Sequence, residues 1–163
     1  MIAMTDLMRL KPLAALAGLA ALGMNLGAWM FQYGFGMPPC AMCLWQRYPH
    51  WVAFALALLV LALRGPVTTL HRLLCWLGAA ASATTGAIGI YHTGVERGWW
   101  EGPTSCTGTG GLDLSNPLSI DGPAMVMCDV PAGYFFGLTM PTYNAIFSLV
   151  FAALWIVAAT RKS

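Results

Sequence analysis

The sequence predicts an all-α integral membrane protein, a bundle of four transmembrane helices with one long outer loop. Three observations lead to this fold class. The 163 residues are 58% hydrophobic and only 9% charged, whereas a soluble domain carries roughly 25% charged residues. The apolar residues fall into four runs, and most basic residues lie at one set of run ends. So much apolar surface could not be hidden inside a water-soluble core of this size.

Each of the four runs has about 20 residues, enough for a helix to cross a hydrocarbon core about 30 Å thick. The first run also has features of a secretory signal peptide, with basic residues before it and a candidate cleavage site at 21–23. Because its apolar region is too long for a signal peptide, we expect it to be retained. Residues 1–163 then form one domain, with helices at about 12–31, 44–63, 70–91 and 141–160 and outer segments at about 32–43 and 92–140.

The charged residues predict the orientation of this bundle. Six of the eight basic residues lie on one side, which the positive-inside rule assigns to the cytoplasm. The other side carries five of the six acidic residues and most of the Trp and Tyr residues, as an interfacial aromatic belt would. Both termini are therefore expected in the cytoplasm. The six basic residues are Arg9, Lys11, Arg64, Arg72, Arg161 and Lys162.

A Cys-x-x-Cys pair, Cys40 and Cys43, stands between two prolines and the second apolar run. Pro38 and Pro39 cannot continue a helix behind them but can stand at the start of one. A helix that begins here places both thiols at its N-terminus, where the partial positive charge favours thiolate. Arg47, one turn after Cys43, adds a second stabilising charge. The pattern predicts a redox thiol pair at a membrane surface, with a zinc half-site or a structural disulfide as alternatives.

Two further cysteines, Cys106 and Cys128, lie in the long outer segment, where disulfides form and persist. A zinc site needs four converging ligands, usually in two closely spaced pairs, and only one pair here is closely spaced. Thiol–disulfide exchange between a fixed pair and a pair on a mobile loop suits the pattern better, because a flexible loop lets one sulfur reach another. A large soluble partner could reach this loop pair. Cys75, in the third run, is expected to be a small buried hydrophobe without a role.

Small and polar residues inside the runs predict packing faces. Small residues let transmembrane helices approach closely. We therefore expect the first and third helices to pack through such faces, and the lone polar Asn25 to be a satisfied hydrogen-bonding residue inside the bundle. The small residues are Gly23 and Gly27 in the first run and Gly78, Ser82, Gly86 and Gly89 in the third.

The chain resembles the DsbB family, the bacterial disulfide-bond formation protein B. The signature Cys-x-x-Cys-x-x-x-Arg of that family is matched by Cys40-Ala41-Met42-Cys43-Leu44-Trp45-Gln46-Arg47. The start of its second periplasmic loop is similar to Tyr91-His92-Thr93-Gly94-Val95-Glu96 with Cys106-Thr107-Gly108 beyond. The passage into its last helix resembles Cys128-Asp129 followed by Phe136-Gly137-Leu138-Thr139-Met140-Pro141. The likeness extends over nearly the whole chain.

The resemblance implies an enzyme of the bacterial inner membrane that reoxidises a periplasmic DsbA-type dithiol oxidase and passes the electrons to a membrane quinone. Ubiquinone is the first expectation and menaquinone the second; no metal, flavin or nucleic acid is expected. The partners are then the DsbA-type protein, the quinone and the lipid bilayer. Arg47 matches the arginine of the family at the quinone, and His92 stands where the family places a histidine near it, unless it is an ordinary interfacial histidine. By the same resemblance Cys40 and Cys43 face the quinone, and Cys106 and Cys128 face DsbA.

Redox potentials explain why a quinone is needed. DsbA lies near about −120 mV and ordinary structural disulfides below about −300 mV. Oxidation of DsbA by such a disulfide alone would run about 8 kcal/mol uphill.

Two other interpretations of the sequence remain. A protein like the vitamin K epoxide reductases has the redox Cys-x-x-Cys after the loop pair, whereas here it comes before. A non-enzymatic scaffold held by two disulfides would use no quinone.

Overall fold

The computed structural model describes residues 9–107 and 126–161, and four long helices account for most of them. The chain order is helix, one π-helical turn, two helices, a short hairpin and a last helix. These elements have the following bounds in the described residues. They are α1 (Leu10–Trp29), the π turn (Met30–Gly34), α2 (Ala41–Ala62), α3 (Thr69–Glu96), β1 (Tyr134–Phe135), β2 (Leu138–Thr139) and α4 (Met140–Thr160).

The four helices pack in a ring in which α1 contacts α2 and α4, and α3 contacts α2 and α4. The main core lies towards the end of the bundle where α1 begins and α4 ends, around the fully buried Trp155. Cys75 is also fully buried in this core. It therefore packs as a small hydrophobe, as the sequence predicted.

The small residues of the third run form a packing face, as expected. A Cβ atom on Gly78 would lie 2.5 Å from the Trp155 ring, and one on Gly89 would lie 3.0 Å from backbone atoms of α4. The same expectation is wrong for the first run. No atom of the described residues lies within 4 Å of a Cβ atom built on Gly23 or Gly27, so these two glycines leave open space within the described part of the bundle.

The outer segment is more regular than the sequence predicted. Helix α3 continues five residues past the expected end at 91, so that His92 is helical rather than in the loop. Tyr134 pairs with Thr139, and Phe135 with Leu138, in an antiparallel hairpin that the sequence analysis missed. Thr139 is also the N-cap of α4, and Pro141 is the second residue of this helix, where proline is well tolerated.

Three of the described helices are long and apolar enough to cross a membrane: Leu10–Gly34, which includes the π turn, Thr69–Glu96 and Met140–Thr160. Helix α2 has the length, at 22 residues, but its first half is polar. Gln46, Arg47 and His50 lie there, together with Pro49. The structure thus supports a helical membrane protein with three clear spans, and the crossing of α2 remains a prediction.

Candidate redox site

The N-terminus of α2 holds the thiol pair, as the sequence predicted. Cys40 has extended backbone angles (φ −74°, ψ 170°) and is the N-cap residue, and its sulfur accepts a hydrogen bond from the Cys43 backbone N–H at 3.2 Å. The Cys40 and Cys43 sulfur atoms lie 2.7 Å apart as free thiols. A small movement therefore joins them in a disulfide.

The two thiols differ in acidity, and both lie before the apolar stretch at 44–63. A hydrogen bond from the Cys40 thiol lowers the pKa of Cys43 below its ordinary value, with a further contribution from the Arg47 charge. The same hydrogen bond raises the pKa of Cys40, and burial adds to this effect. Of the two, Cys43 is therefore the more acidic thiol, and Cys40 keeps its proton to higher pH.

Cys106 and Cys128 form a disulfide. Both residues are almost completely buried, at 1% and 0% exposure. They pack with Cys40, Met42 and Val95 in one cluster, separate from the main core. That a large partner reaches this loop pair stays a prediction. In this arrangement the disulfide is packed against the membrane-side pair, so it must move away before a partner can attack it.

His92 contacts the thiol pair through Cys40. Its Nε2 atom is 3.7 Å from the Cys40 sulfur, and its Nδ1 atom is 2.9 Å from the Gln46 side-chain nitrogen. Gln46 was not singled out by the sequence analysis. The sequence offered one signal for it: Gln46 is a polar residue between Cys43 and Arg47, at the start of an apolar run. The family signature includes the arginine and not this glutamine.

The zinc alternative can be tested on the donor atoms of Cys40, Cys43 and His92, which lie within 4.8 Å of one another. Two thiolates on one tetrahedral zinc ion, with bonds of about 2.3 Å, stand about 3.8 Å apart. The sulfur atoms here are 2.7 Å apart. This spacing suits a dithiol that closes to a disulfide, and it does not suit two zinc ligands.

A cavity of about 440 Å³ opens beside Cys43. Its volume lies within the range of small-molecule sites, and most of its lining is apolar. Gly23 and Gly27 lie in its wall, which explains the open space around them. Arg47 and Asn25 supply polar groups, whereas His92 is not among the described residues that line it. The apolar and aromatic part of the wall includes Phe31, Met37, Phe135, Phe136, Tyr143 and Phe147.

Arg47 is held by α1 and the π turn. Its guanidinium donates to the Gln32 side-chain oxygen at 2.6 Å and to the Ala28 carbonyl at 3.4 Å. A second cavity of about 240 Å³ is lined by Arg47 together with Trp29 and Trp51. Arg47 therefore lines both cavities, of which only the larger is also lined by Cys43.

Asn25 is only partly satisfied, in contrast to the prediction. Its side-chain N–H donates to the Arg47 carbonyl at 3.4 Å. Its Oδ1 atom is buried and has no hydrogen-bond partner among the described residues. A buried acceptor of this kind in the wall of a cavity leaves one hydrogen bond available to a bound molecule.

Fold and site together define a class of protein: a helical membrane protein with a buried dithiol between a disulfide and an apolar cavity. The family model for Disulfide bond formation protein DsbB matches residues 10–158. The chain therefore belongs to the DsbB family, and membership implies a membrane thiol–disulfide oxidoreductase. It is also 23% identical over 129 residues to the uncharacterized protein RP370 of Rickettsia prowazekii (strain Madrid E), covering 75% of this chain and 72% of the relative. No solved structure matches the chain.

The unequal acidity of the two thiols predicts how the reduced protein reacts with iodoacetamide. Because the pKa of Cys43 is lowered, Cys43 stays a thiolate as the pH falls below about 8.5, where ordinary thiols become protonated. Cys43 should then be alkylated over this window while Cys40 stays unmodified. Mass spectrometry of the peptide that carries both residues measures this, and Cys43→Ser should remove the labelling that persists at low pH. Faster alkylation of Cys40 would contradict the assignment.

Proposed function

We propose that this chain oxidises a periplasmic DsbA-type dithiol oxidase and passes the electrons to a membrane quinone. One observation carries the proposal: the loop disulfide packs against Cys40, while Cys43 lines an apolar cavity. The thiol pair thus lies between a disulfide that can exchange with protein thiols and a space that suits a lipid-soluble molecule.

The residues around the cavity fit a quinone head group. The apolar wall suits the ring and its tail, the Arg47 guanidinium offers N–H donors to a carbonyl oxygen, and Asn25 Oδ1 offers an acceptor to a hydroxyl. A bound quinone supplies a two-electron acceptor. The cavity does not distinguish ubiquinone from menaquinone, and the proposal covers both.

The proposed exchange sequence begins at the loop. The thiolate of the partner attacks Cys106, the Cys106–Cys128 bond breaks, and Cys128 leaves as a thiolate. Cys128 then attacks Cys40, the Cys40–Cys43 bond breaks, and its electron pair passes to Cys43. The lowered pKa of Cys43 favours this direction, since a more acidic thiol is the better leaving group.

The membrane arrangement in the proposal has four crossing helices with both termini in the cytoplasm. We count α2 as the fourth crossing helix because it packs between α1 and α3. The basic residues at the inner ends support this orientation, and the four redox cysteines then lie on the periplasmic side. The partner and the orientation are inferred from family and charge.

The direct test of the function is quinone reduction by the purified chain in detergent with a reduced DsbA-type protein as the donor. We expect oxidation of the donor only when a quinone is added, and loss of turnover in Cys43→Ser. The Cys75→Ser variant should keep turnover, because Cys75 lies in the separate core. Absence of quinone-dependent oxidation would favour the scaffold interpretation.

Arg47 is predicted to act at the quinone step. Arg47→Gln removes the charge next to Cys43 and the donors in the cavity wall, so the apparent KM for quinone should rise by about tenfold, as for one lost hydrogen bond to a charged group. Formation of the mixed disulfide with the partner should change little. Unaltered quinone kinetics would mean that Arg47 only extends its side chain to the membrane interface.

Trapping experiments test the order of exchange. With a partner that lacks its resolving cysteine, the protein with both disulfides closed should accumulate a mixed disulfide through Cys106, because the partner cannot release itself. Cys128→Ser offers no Cys106–Cys128 bond to attack, so it should accumulate no such adduct and should reduce no quinone. Peptide mapping identifies the linked residue. An adduct at Cys40 or Cys43 would show that the partner attacks the membrane-side pair directly and that the loop disulfide is structural.

A further inference from the structure

The side chain of Gln46 has its orientation fixed by two contacts. Its Nε2 atom lies 3.1 Å from the Met42 carbonyl oxygen and 2.9 Å from His92 Nδ1. A carbonyl oxygen can only accept, so an amide nitrogen must face it. The reversed amide would place two oxygen atoms in contact there. The second N–H of the amide therefore points at His92 Nδ1.

This contact determines which ring nitrogen of His92 carries the proton. Since Nδ1 accepts a hydrogen bond from Gln46, the neutral ring carries its proton on Nε2. His92 Nε2 lies 3.7 Å from the Cys40 sulfur, within hydrogen-bonding distance of a sulfur atom. All three side chains are buried, with exposures of 6%, 2% and 4% for Gln46, His92 and Cys40. Water therefore competes little for this donor, although the Cys128 backbone also lies within hydrogen-bonding reach of the ring and can share it.

We propose that Gln46 is a positioning residue that holds His92 in the Nε2–H form, so that the ring donates to the Cys40 sulfur when that sulfur leaves as a thiolate. The step rests on the proposed function. Once the partner has left, the Cys106 thiolate attacks Cys128 of the Cys40–Cys128 bond. The Cys106–Cys128 bond forms again, and the electron pair of the broken bond passes to Cys40. Oxidation of Cys40 and Cys43 to their disulfide then delivers two electrons to the quinone.

A donor at this position meets a specific need. The Cys40 sulfur lies next to Cys43, which carries negative charge as a thiolate, and Glu96 stands on the same helix as His92. Arg47 is the cation that acts on this pair, and its guanidinium is bonded to α1 and the π turn. A second thiolate on Cys40 would add negative charge in a buried place. The N–H group of His92 compensates part of this charge at the sulfur itself.

The tautomer can be measured directly and without quinone or partner. The ¹⁵N spectrum of histidine-labelled full-length protein distinguishes protonated from unprotonated ring nitrogens, and His92→Gln assigns its signals among the three histidines. We expect a protonated Nε2 and an unprotonated Nδ1 in the wild-type protein, and loss of this preference in Gln46→Met. A proton on Nδ1 in the wild-type protein would overturn the proposal.

The effect on Cys40 can be measured from an internal exchange equilibrium. In a Cys43→Ser, Cys75→Ser background, the remaining three cysteines share one disulfide and one free thiol. The free thiol is Cys40 when the Cys106–Cys128 bond is closed, Cys106 when the Cys40–Cys128 bond is closed, and Cys128 when the Cys40–Cys106 bond is closed. Rapid alkylation and peptide mapping give the ratio of free Cys40 to free Cys106. At a pH high enough to ionise free Cys40, whose pKa burial places above the ordinary thiol pKa of about 8.5, Gln46→Met should lower this ratio by about tenfold, as expected for one hydrogen bond to a charged group.

The pH dependence separates positioning from packing. At low pH both free thiols are protonated, so Gln46→Met should leave the ratio unchanged there. The control Thr84→Val removes a side-chain hydrogen bond to the Ala80 carbonyl rather than one to His92 or Arg47, and it should match the parent protein at every pH. An unchanged ratio at high pH, or an equal change at low and high pH, would overturn the proposal. Because neither measurement uses quinone or DsbA, the proposed function can fail separately.

Discussion

The site depends on where α2 begins. Pro38 and Pro39 exclude a helix behind them, and the extended backbone of Cys40 makes this residue the N-cap. The cap hydrogen bond from the Cys43 N–H then holds one sulfur beside the other. Residues 46 and 47 follow one turn later, so the start of the helix also determines which groups face His92 and the cavity. A start shifted by one residue would rotate all of them by about 100°.

The loop disulfide has two functions in the proposed cycle, and they require different degrees of exposure. Transfer to Cys40 needs contact between buried sulfur atoms, whereas attack by a soluble partner needs an accessible sulfur. Cys106 and Cys128 cannot meet both demands in one arrangement, because they are 1% and 0% exposed against Cys40. The described arrangement is the one that suits internal transfer. In the proposed cycle, binding of the partner must include the free energy of moving this disulfide away from Met42 and Val95.

Much of this arrangement could be predicted because its causes are local. The helix starts at Cys40 and Thr139 follow from prolines and caps that act within one turn, and the four apolar runs follow from composition. The contact between Gln46 and His92 joins residues 46 positions apart, and no pattern in either segment indicates the other. Gly23 shows a second limit. A small residue permits either close packing or open space, and only the neighbouring helix decides between them.

The polar first half of α2 lowers its hydropathy, yet Gln46, Arg47 and His50 each make a side-chain hydrogen bond inside the bundle. His50 bonds to Asn144 of α4 at 2.8 Å, Asn144 donates to the Thr85 carbonyl of α3, and the Thr85 hydroxyl donates to the Gln46 carbonyl. Away from water these bonds are costly to break. These bonds therefore connect α2 to α3 and α4 within the first turns after the thiol pair. This attachment keeps Cys40 and Cys43 at one place in the bundle, so the movement that exchange requires falls to the loop disulfide.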